Sequence, residues 1–124
     1  MSLDVINLII PAKPEYVLTV RLAVAGIATR AGLDVESIED LKVCVAEGCI
    51  LLIGEDEPKE NENISILFSI EDELKIELSR KRECTLLSAE AGELSVSIME
   101  SLVDGVSIDC KDGSCTIMLV KQLN

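Results

Sequence analysis

The sequence contains no histidine and no tryptophan, and only one tyrosine and one phenylalanine among its 124 residues. With so few aromatic side chains, the core must be built from leucine, isoleucine, valine and alanine. The five cysteines do not support a zinc or redox motif, because no two of them have Cys-x-x-Cys spacing. Hydrophobic residues still make up 48% of the chain, enough for one folded domain but not two at this length. We therefore expect a single domain covering residues 1–124.

Long apolar runs and basic residues are also scarce. Every apolar run is shorter than the roughly 18 residues of a membrane span, and the N-terminus has no basic signal-peptide start. These features predict a cytoplasmic protein that does not enter a membrane. The net charge of −12 excludes non-specific binding to DNA or RNA as a leading function, because such binding needs basic surface. The same charge would steer a basic protein partner toward the chain.

Hydrophobic periodicity predicts the order strand, two helices, two strands, helix, two strands. Helices are expected at about Pro14–Ala31, Ile38–Ile53 (after a cap at Asp34) and Ala89–Asp104, and strands at Asp4–Ile10, Asn63–Ile70, Leu74–Arg80, Val106–Cys110 and Cys115–Lys121. The acidic stretch 55–62 is a solvated loop, and an Asp-Gly turn joins the last two strands. This arrangement predicts an α+β two-layer sandwich, with a mixed or mostly antiparallel sheet of about five strands and three helices on one face.

The second helix is apolar on two faces, which a helix with a single packed side does not need. One stripe is the expected core face and consists of Ile38, Leu41, Val45, Cys49 and Leu52. The opposite side carries one carboxylate, Glu47, among Val43, Ile50, Leu51 and Gly54. A ligand, a partner or the chain itself must cover this second face. In the last helix, the same periodicity predicts a buried stripe of Ala91, Leu94, Ile98 and Leu102.

Two stretches resemble the bacterial anti-sigma-factor serine kinases, members of the superfamily of histidine-kinase-like ATPases. The opening of that family is similar to PAKPEYVLTVRLAVAGIATRAGLDVESIEDLKVCVAEGC (Pro11–Cys49). Its closing helix and hairpin are similar to IMESLVDGVSID (Ile98–Asp109) followed by CTIMLVKQL (Cys115–Leu123). The resemblance covers most of the chain in the family's order. It implies the histidine-kinase-like ATPase fold.

The resemblance also implies that the nucleotide-binding positions are altered. In the family, the second helix carries a Glu that serves as base and, four residues later, an Asn that helps to hold magnesium. The matching residues here are Glu47 and Leu51, and a leucine supplies no oxygen ligand for Mg²⁺. The family's adenine-recognising Asp is matched by Arg80, and the first glycine of the same motif by Arg82. An arginine only donates hydrogen bonds, so it cannot accept one from the adenine amino group.

The family's phosphate-binding Gly-x-Gly is matched by Glu93-Leu94-Ser95, which places side chains and a negative charge where phosphates would sit. Only twelve residues separate Arg80 from Glu93, so the loop that closes over nucleotide in the family is largely deleted. The resemblance thus implies a degenerate member, a pseudo-enzyme for which no cofactor and no metal are expected. ATP and magnesium are the alternative cofactors.

Three functions follow from this resemblance. The first is a regulator of transcription that sequesters a sigma factor or related protein without hydrolysing ATP. It would act as a homodimer and meet a sigma factor or an anti-anti-sigma-type protein, with Arg21 at the position where the family's Arg contacts the sigma factor. The second is an active ATP-dependent serine protein kinase with Glu47 as base. The third is a binder of a different small molecule in a remodelled pocket lined by Leu51.

Two further features keep alternatives open. The only basic cluster, Arg80-Lys81-Arg82, is either a solvated strand end, a surface for an anionic partner, or a salt-bridge partner of the acidic loop 55–62. The cysteines are expected to be reduced and to pack mainly as small hydrophobic side chains. Cys110 and Cys115 are the pair that could face each other across the closing hairpin.

Overall fold

The computed structural model describes residues 3–54, 61–81 and 90–123, and their elements follow the predicted order. The helices are α1 (Val17–Arg30), α2 (Val35–Ile53) and α3 (Glu90–Leu102), and the strands are β1 (Asp4–Pro11), β2 (Asn63–Ile70), β3 (Glu73–Lys81), β4 (Gly105–Lys111) and β5 (Ser114–Gln122). A single 3-10 turn, Pro14–Tyr16, precedes α1, so the α-helix begins three residues later than its proline start predicted. No helix in the described ranges is long and apolar enough to cross a membrane.

The five strands form one sheet in the order β1-β2-β3-β5-β4, and every neighbouring pair is antiparallel. Alternate side chains of each central strand point to the buried face, as a strand period of two requires. In β2 and β3 the buried apolar residues are Ile64, Ile66, Phe68, Leu74, Ile76 and Leu78. The helices cover this face and close one core. The predicted α+β two-layer fold is therefore confirmed, with a wholly antiparallel sheet.

Helix α2 begins and ends at residues with specific capping roles. At its start, the Asp34 carboxylate accepts a hydrogen bond from the backbone N–H of Ser37 over 2.8 Å, as the sequence predicted for a cap. That hydrogen bond lowers the pKa of the Asp34 carboxyl. At its end, Gly54 has a φ of 71°, a conformation that favours glycine. These two residues fix the length of the helix that carries Glu47.

The chain itself covers part of the second face of α2. Helices α1 and α3 flank α2 on either side, and the sheet lies beneath it. Leu51 is consequently buried in the core, at 8% exposure. Val43 and Ile50 remain exposed, at 41% and 54%. An apolar pattern nearly all round α2 therefore reflects packing against three neighbours, with a narrow exposed strip left over.

The buried face of α3 differs from the predicted one. Leu94 was expected in the core but is 64% exposed, and Ile98 and Leu102 are only half-buried. Met99 is fully buried, and Val103, just after the helix, is 9% exposed. The inward face is thus rotated by about one residue, or 100°, from the predicted stripe. This rotation turns Ser95 toward α2.

We predict that Leu78→Ala lowers the free energy of unfolding by about 2–5 kcal/mol, because the deletion leaves a cavity between β3 and α2. Leu78 is fully buried, and its Cδ1 would lie 3.2 Å from a Cβ added to Gly48 of α2. Urea denaturation measures the change. The matched control is Leu22→Ala on α1, where the side chain is 64% exposed and less than about 0.5 kcal/mol is expected. Equal losses in the two variants would contradict this packing.

Candidate functional site

Glu47 lies in the middle of α2 and is half-buried. The hydroxyl of Ser95, on α3, donates a hydrogen bond to Glu47 Oε2 over 3.0 Å. These are the two residues that the family resemblance matches to the catalytic Glu and to the second glycine of the phosphate motif. One helix-to-helix hydrogen bond therefore joins two positions that the sequence analysis treated separately.

Leu51 follows Glu47 by one helical turn, so both side chains project from neighbouring positions on α2. Its isobutyl group belongs to the hydrophobic core cluster, together with Leu52 and Ile53. Where the family's Asn would present an oxygen to magnesium, this chain has only buried carbon. The described residues contain no group of three or more His, Cys, Asp or Glu that could hold a metal ion.

Arg80, near the end of β3, is the one buried charged residue in the described part of the chain, at 3% exposure. Its Nη1 donates to the backbone carbonyls of Leu52, over 2.6 Å, and of Ile53, over 3.0 Å. Its Nη2 is ion-paired with the carboxylate of Glu62, which directly precedes β2. We call these four residues the Arg80 cluster. It joins the end of α2, the approach to β2 and the end of β3.

The charges in the Arg80 cluster complement one another. The last carbonyls of a helix have no partner inside the helix, and they give its C-terminus a partial negative charge. A guanidinium placed there donates hydrogen bonds to two of these carbonyls, and its positive charge lies at the negative end of the helix dipole. Glu62 supplies the formal negative charge that a buried cation needs. Arg80 Nε is buried, and among the described residues it has no hydrogen-bond partner.

The environment of Arg80 bears on two of the three explanations of the basic cluster. The predicted salt bridge to the acidic loop is correct for Arg80, because Glu62 is the last residue of the stretch 55–62. A solvated strand end describes only Lys81, which is exposed. Arg82 and residues 55–60 lie outside the described ranges. The contact of Arg80 with the end of α2 was not predicted, because no residue pattern indicated it.

The phosphate-motif positions lie inside α3 instead of at its entrance. Helix α3 begins at Glu90, so Glu93 is in the first turn and Ser95 is beyond it. Only the first four N–H groups of a helix are left for an external anion. The backbone N–H of Ser95 is therefore not among them. Glu93 is exposed and adds a negative charge to that first turn.

A polar pocket of about 400 Å³ opens beside the Arg80 cluster. Its lining consists of Asn61, Glu62, Asn63, Ser65, Ser79, Arg80, Lys81 and Ser114. All of these residues are polar or charged, and Leu51 is not one of them. The pocket therefore does not match the aliphatic cavity that the third function requires.

Arg21 lies on α1 and is half-buried. Its Nε is buried and has no hydrogen-bond partner among the described residues. Leu18 and Leu22, on the same face of α1, are 60% and 64% exposed, and Tyr16 just before the helix is 39% exposed. These four side chains, which we call the α1 surface, combine exposed apolar area with one cation.

The two cysteines of α2 have thiols of low reactivity, because their pKa values are raised. Burial raises the pKa of the Cys44 thiol to about 12, helped by the nearby charges of Asp40 and Glu47. Burial alone raises the pKa of the Cys49 thiol to about 12 as well. Both are fully buried and belong to the core, as predicted. Cys84 lies outside the described ranges.

Comparison with known proteins identifies the fold first. The chain matches the crystal structure of the RsbU and RsbW domains of Rv1364c from Mycobacterium tuberculosis with a TM-score of 0.77 and 15% identity. The match covers 97% of this chain but 32% of that longer one, so this chain spans about a third of it. A likeness at this identity establishes the fold, which agrees with the histidine-kinase-like ATPase fold implied by the resemblance.

Sequence relatives then identify the family. No protein-family model matches the chain. It is 32% identical to the serine-protein kinase RsbW of Bacillus velezensis, over 99% of this chain and 88% of the relative. The corresponding protein of Bacillus subtilis is also 32% identical, over 98% and 87%, and that of Listeria monocytogenes serotype 4a is 34% identical, over 98% and 88%. The chain belongs to the RsbW family of serine-protein kinases and anti-sigma factors.

We predict that Arg80→Ala lowers the free energy of unfolding by about 2–3 kcal/mol. Removing one partner of a fully buried ion pair costs about 3–5 kcal/mol, and the cost is smaller here because the Glu62 side chain is 29% exposed and can regain water. Urea denaturation of Arg80→Ala and of the neighbouring Lys81→Ala, an exposed side chain, gives the comparison. If Arg80→Ala costs no more than Lys81→Ala, the guanidinium contacts do not stabilise the fold.

Proposed function

We propose that this chain is a regulatory domain that sequesters a sigma factor or a related transcription regulator without hydrolysing ATP. The observation that carries the proposal is the Arg80 cluster. At the position where the family's Asp accepts a hydrogen bond from adenine, this chain has a buried guanidinium committed to Glu62 and two helix carbonyls. Such a group has no acceptor to offer the base.

The neighbouring positions support the same proposal. Leu51 adds no magnesium ligand and packs in the core. Glu47 Oε2 accepts a hydrogen bond from Ser95, so the surviving carboxylate is tied to α3. The N–H of Ser95 lies past the first turn of α3, which leaves it outside the phosphate-binding end of that helix. Each contact replaces a nucleotide contact of the family with one inside the protein.

The α1 surface is the proposed contact with the partner. Exposed leucines on one face of α1 supply apolar area, and a half-buried arginine lies beside them. Arginine is enriched among the residues that contribute most to binding energy in interfaces. The positive charge of the half-buried Arg21 side chain would be met by a carboxylate of the partner. The net charge of −12 would steer a basic, DNA-binding partner toward the chain.

The relatives carry the name serine-protein kinase, and that activity is the second candidate for this chain. Glu47, at the position of the family's base and half-buried, favours it. In that case ATP and magnesium would be the cofactors and Glu47 the catalytic base. The order of the two candidates depends on whether the altered positions still admit a nucleotide.

A homodimer and a cytoplasmic location complete the proposal. Strand β1 is an edge strand, and its Val5 and Ile9 are 54% and 58% exposed. An unpaired edge with outward apolar side chains is a common place for two chains to associate.

If the domain does not use ATP, it cannot release its partner by phosphorylating another protein. Competition from another protein would instead release the bound regulator.

We predict that millimolar Mg-ATP or Mg-ADP leaves the melting temperature of this protein unchanged. A ligand at 100 times its Kd stabilises a protein by about 2.7 kcal/mol, which corresponds to several degrees for a domain of this size. The Bacillus subtilis relative, measured at the same concentrations, tests whether the assay detects binding by a family member. A magnesium-dependent shift in this chain, lost together with phosphate transfer in Glu47→Ala, would instead support the kinase.

We predict that Arg21→Glu weakens binding of a partner sigma factor at least tenfold, because it removes the central cation of the α1 surface. Isothermal titration calorimetry measures the affinity. The matched control is Arg30→Glu, which makes the same charge change at an exposed position at the end of the same helix. An equal loss in both variants would indicate long-range electrostatics only. Unchanged affinity in Arg21→Glu would move the contact away from α1.

A further inference from the structure

The hairpin between β4 and β5 has a defined register. Its two turn residues, Asp112 and Gly113, have φ angles of 53° and 74°. Positive φ at both central residues is the type I′ turn that closes two-residue hairpins. Lys111 and Ser114 flank the turn as the first cross-strand pair, and Cys110 and Cys115 are the second. Cys110 and Cys115, which have four residues between them in sequence, thus form a direct cross-strand pair.

The type of this second pair matters for sulfur chemistry. The residues that flank a two-residue turn form the hydrogen-bonded pair, because the turn's own hydrogen bond joins them. Pairs alternate along an antiparallel ladder, so Cys110 and Cys115 form a non-hydrogen-bonded pair with Cα atoms about 4.5 Å apart. That separation lies inside the range of about 4.4–6.8 Å that a disulfide requires. Both side chains also project from the same face of the sheet.

The two cysteines differ in access to solvent. Cys110 is exposed and lies on β4, the edge strand, whereas Cys115 is 2% exposed in the core. A small disulfide in solution would reach Cys110 first, and Cys115 stands opposite as the second thiol. The cysteines of α2 have neither feature, since Cys44 and Cys49 are fully buried and on one helix.

We propose that Cys110 and Cys115 are a reversible thiol–disulfide modification site whose co-substrate is a small disulfide such as oxidised glutathione. The Cys110 thiolate attacks one sulfur of the co-substrate, forms a mixed disulfide and displaces one glutathione thiolate, which takes up a proton. The Cys115 thiolate then attacks the Cys110 sulfur and displaces the second glutathione. Two protein thiols are oxidised to one disulfide, and one glutathione disulfide is reduced to two thiols.

The site lies next to the Arg80 cluster. In the ladder between β3 and β5, Arg80 is paired directly with Cys115. Arg80, Cys115 and Cys110 therefore form one row across three strands on the face that the helices cover. A disulfide here would join β4 to β5 in the row that anchors the end of α2. This inference is independent of the proposed function.

The test is oxidation of the full-length protein with oxidised glutathione, followed by alkylation of the remaining thiols and mass spectrometry. Wild type and Cys84→Ser are compared, since Cys84 shares the tryptic fragment 83–111 with Cys110. We expect two fewer alkylated thiols in both proteins. Trypsin cleaves after Lys111, so the expected product is fragment 83–111 joined through Cys110 to fragment 112–121. Dithiothreitol should restore both thiols.

Two further variants control the assignment. Cys110→Ser changes an exposed side chain, and it should abolish the joined fragments. Cys49→Ser removes a thiol of α2 and should leave them unchanged. Arrest at a glutathione adduct of Cys110, persistence of all thiols, or a disulfide to Cys84 in the wild type would each overturn the proposal.

Discussion

The buried guanidinium of Arg80 is the constraint on which the site depends. An isolated charge in the core would cost several kcal/mol, so the chain must bring acceptors to it. It does so with the last carbonyls of α2 and with Glu62, two segments that are far from β3 in sequence. Satisfying this one charge therefore holds the end of α2 and the start of β2 against the end of β3.

The position of α2 explains why its sequence looked ambiguous. A helix that lies between two other helices and above a sheet needs apolar residues in several directions, and Leu51 belongs to the core that these elements form. Glu47 is tolerated there because it is only half-buried and Ser95 donates to it. Val43 and Ile50 stay exposed, so the apolar pattern alone did not tell buried positions from exposed ones.

Much of the fold could be predicted from the sequence, and the misses have a physical cause. Alternation identified each strand, and Asp34 marked the start of α2 through its local capping chemistry. The prediction of the inward face of α3 was wrong. Two helical stripes fit the sequence, one through Leu94 and one, shifted by a single residue, through Met99. Only packing against α2 selects between the two stripes. The stripe that packs inward also brings Ser95 to Glu47, so the error in the predicted face meant that this hydrogen bond was not predicted either.

The contacts at the site bear on how such a domain is regulated. A protein whose polar site groups wait for a ligand gains stability when the ligand binds. Here Glu47 accepts a hydrogen bond from Ser95, and the two terminal nitrogens of Arg80 contact Glu62 and helix carbonyls. Under the proposed function, these groups therefore do not wait for a nucleotide. Its affinity for a partner would then not depend on nucleotide. Only a competing protein or a covalent change would alter how much partner is bound. Regulation in that case has to act on the α1 surface or on the chain's own side chains.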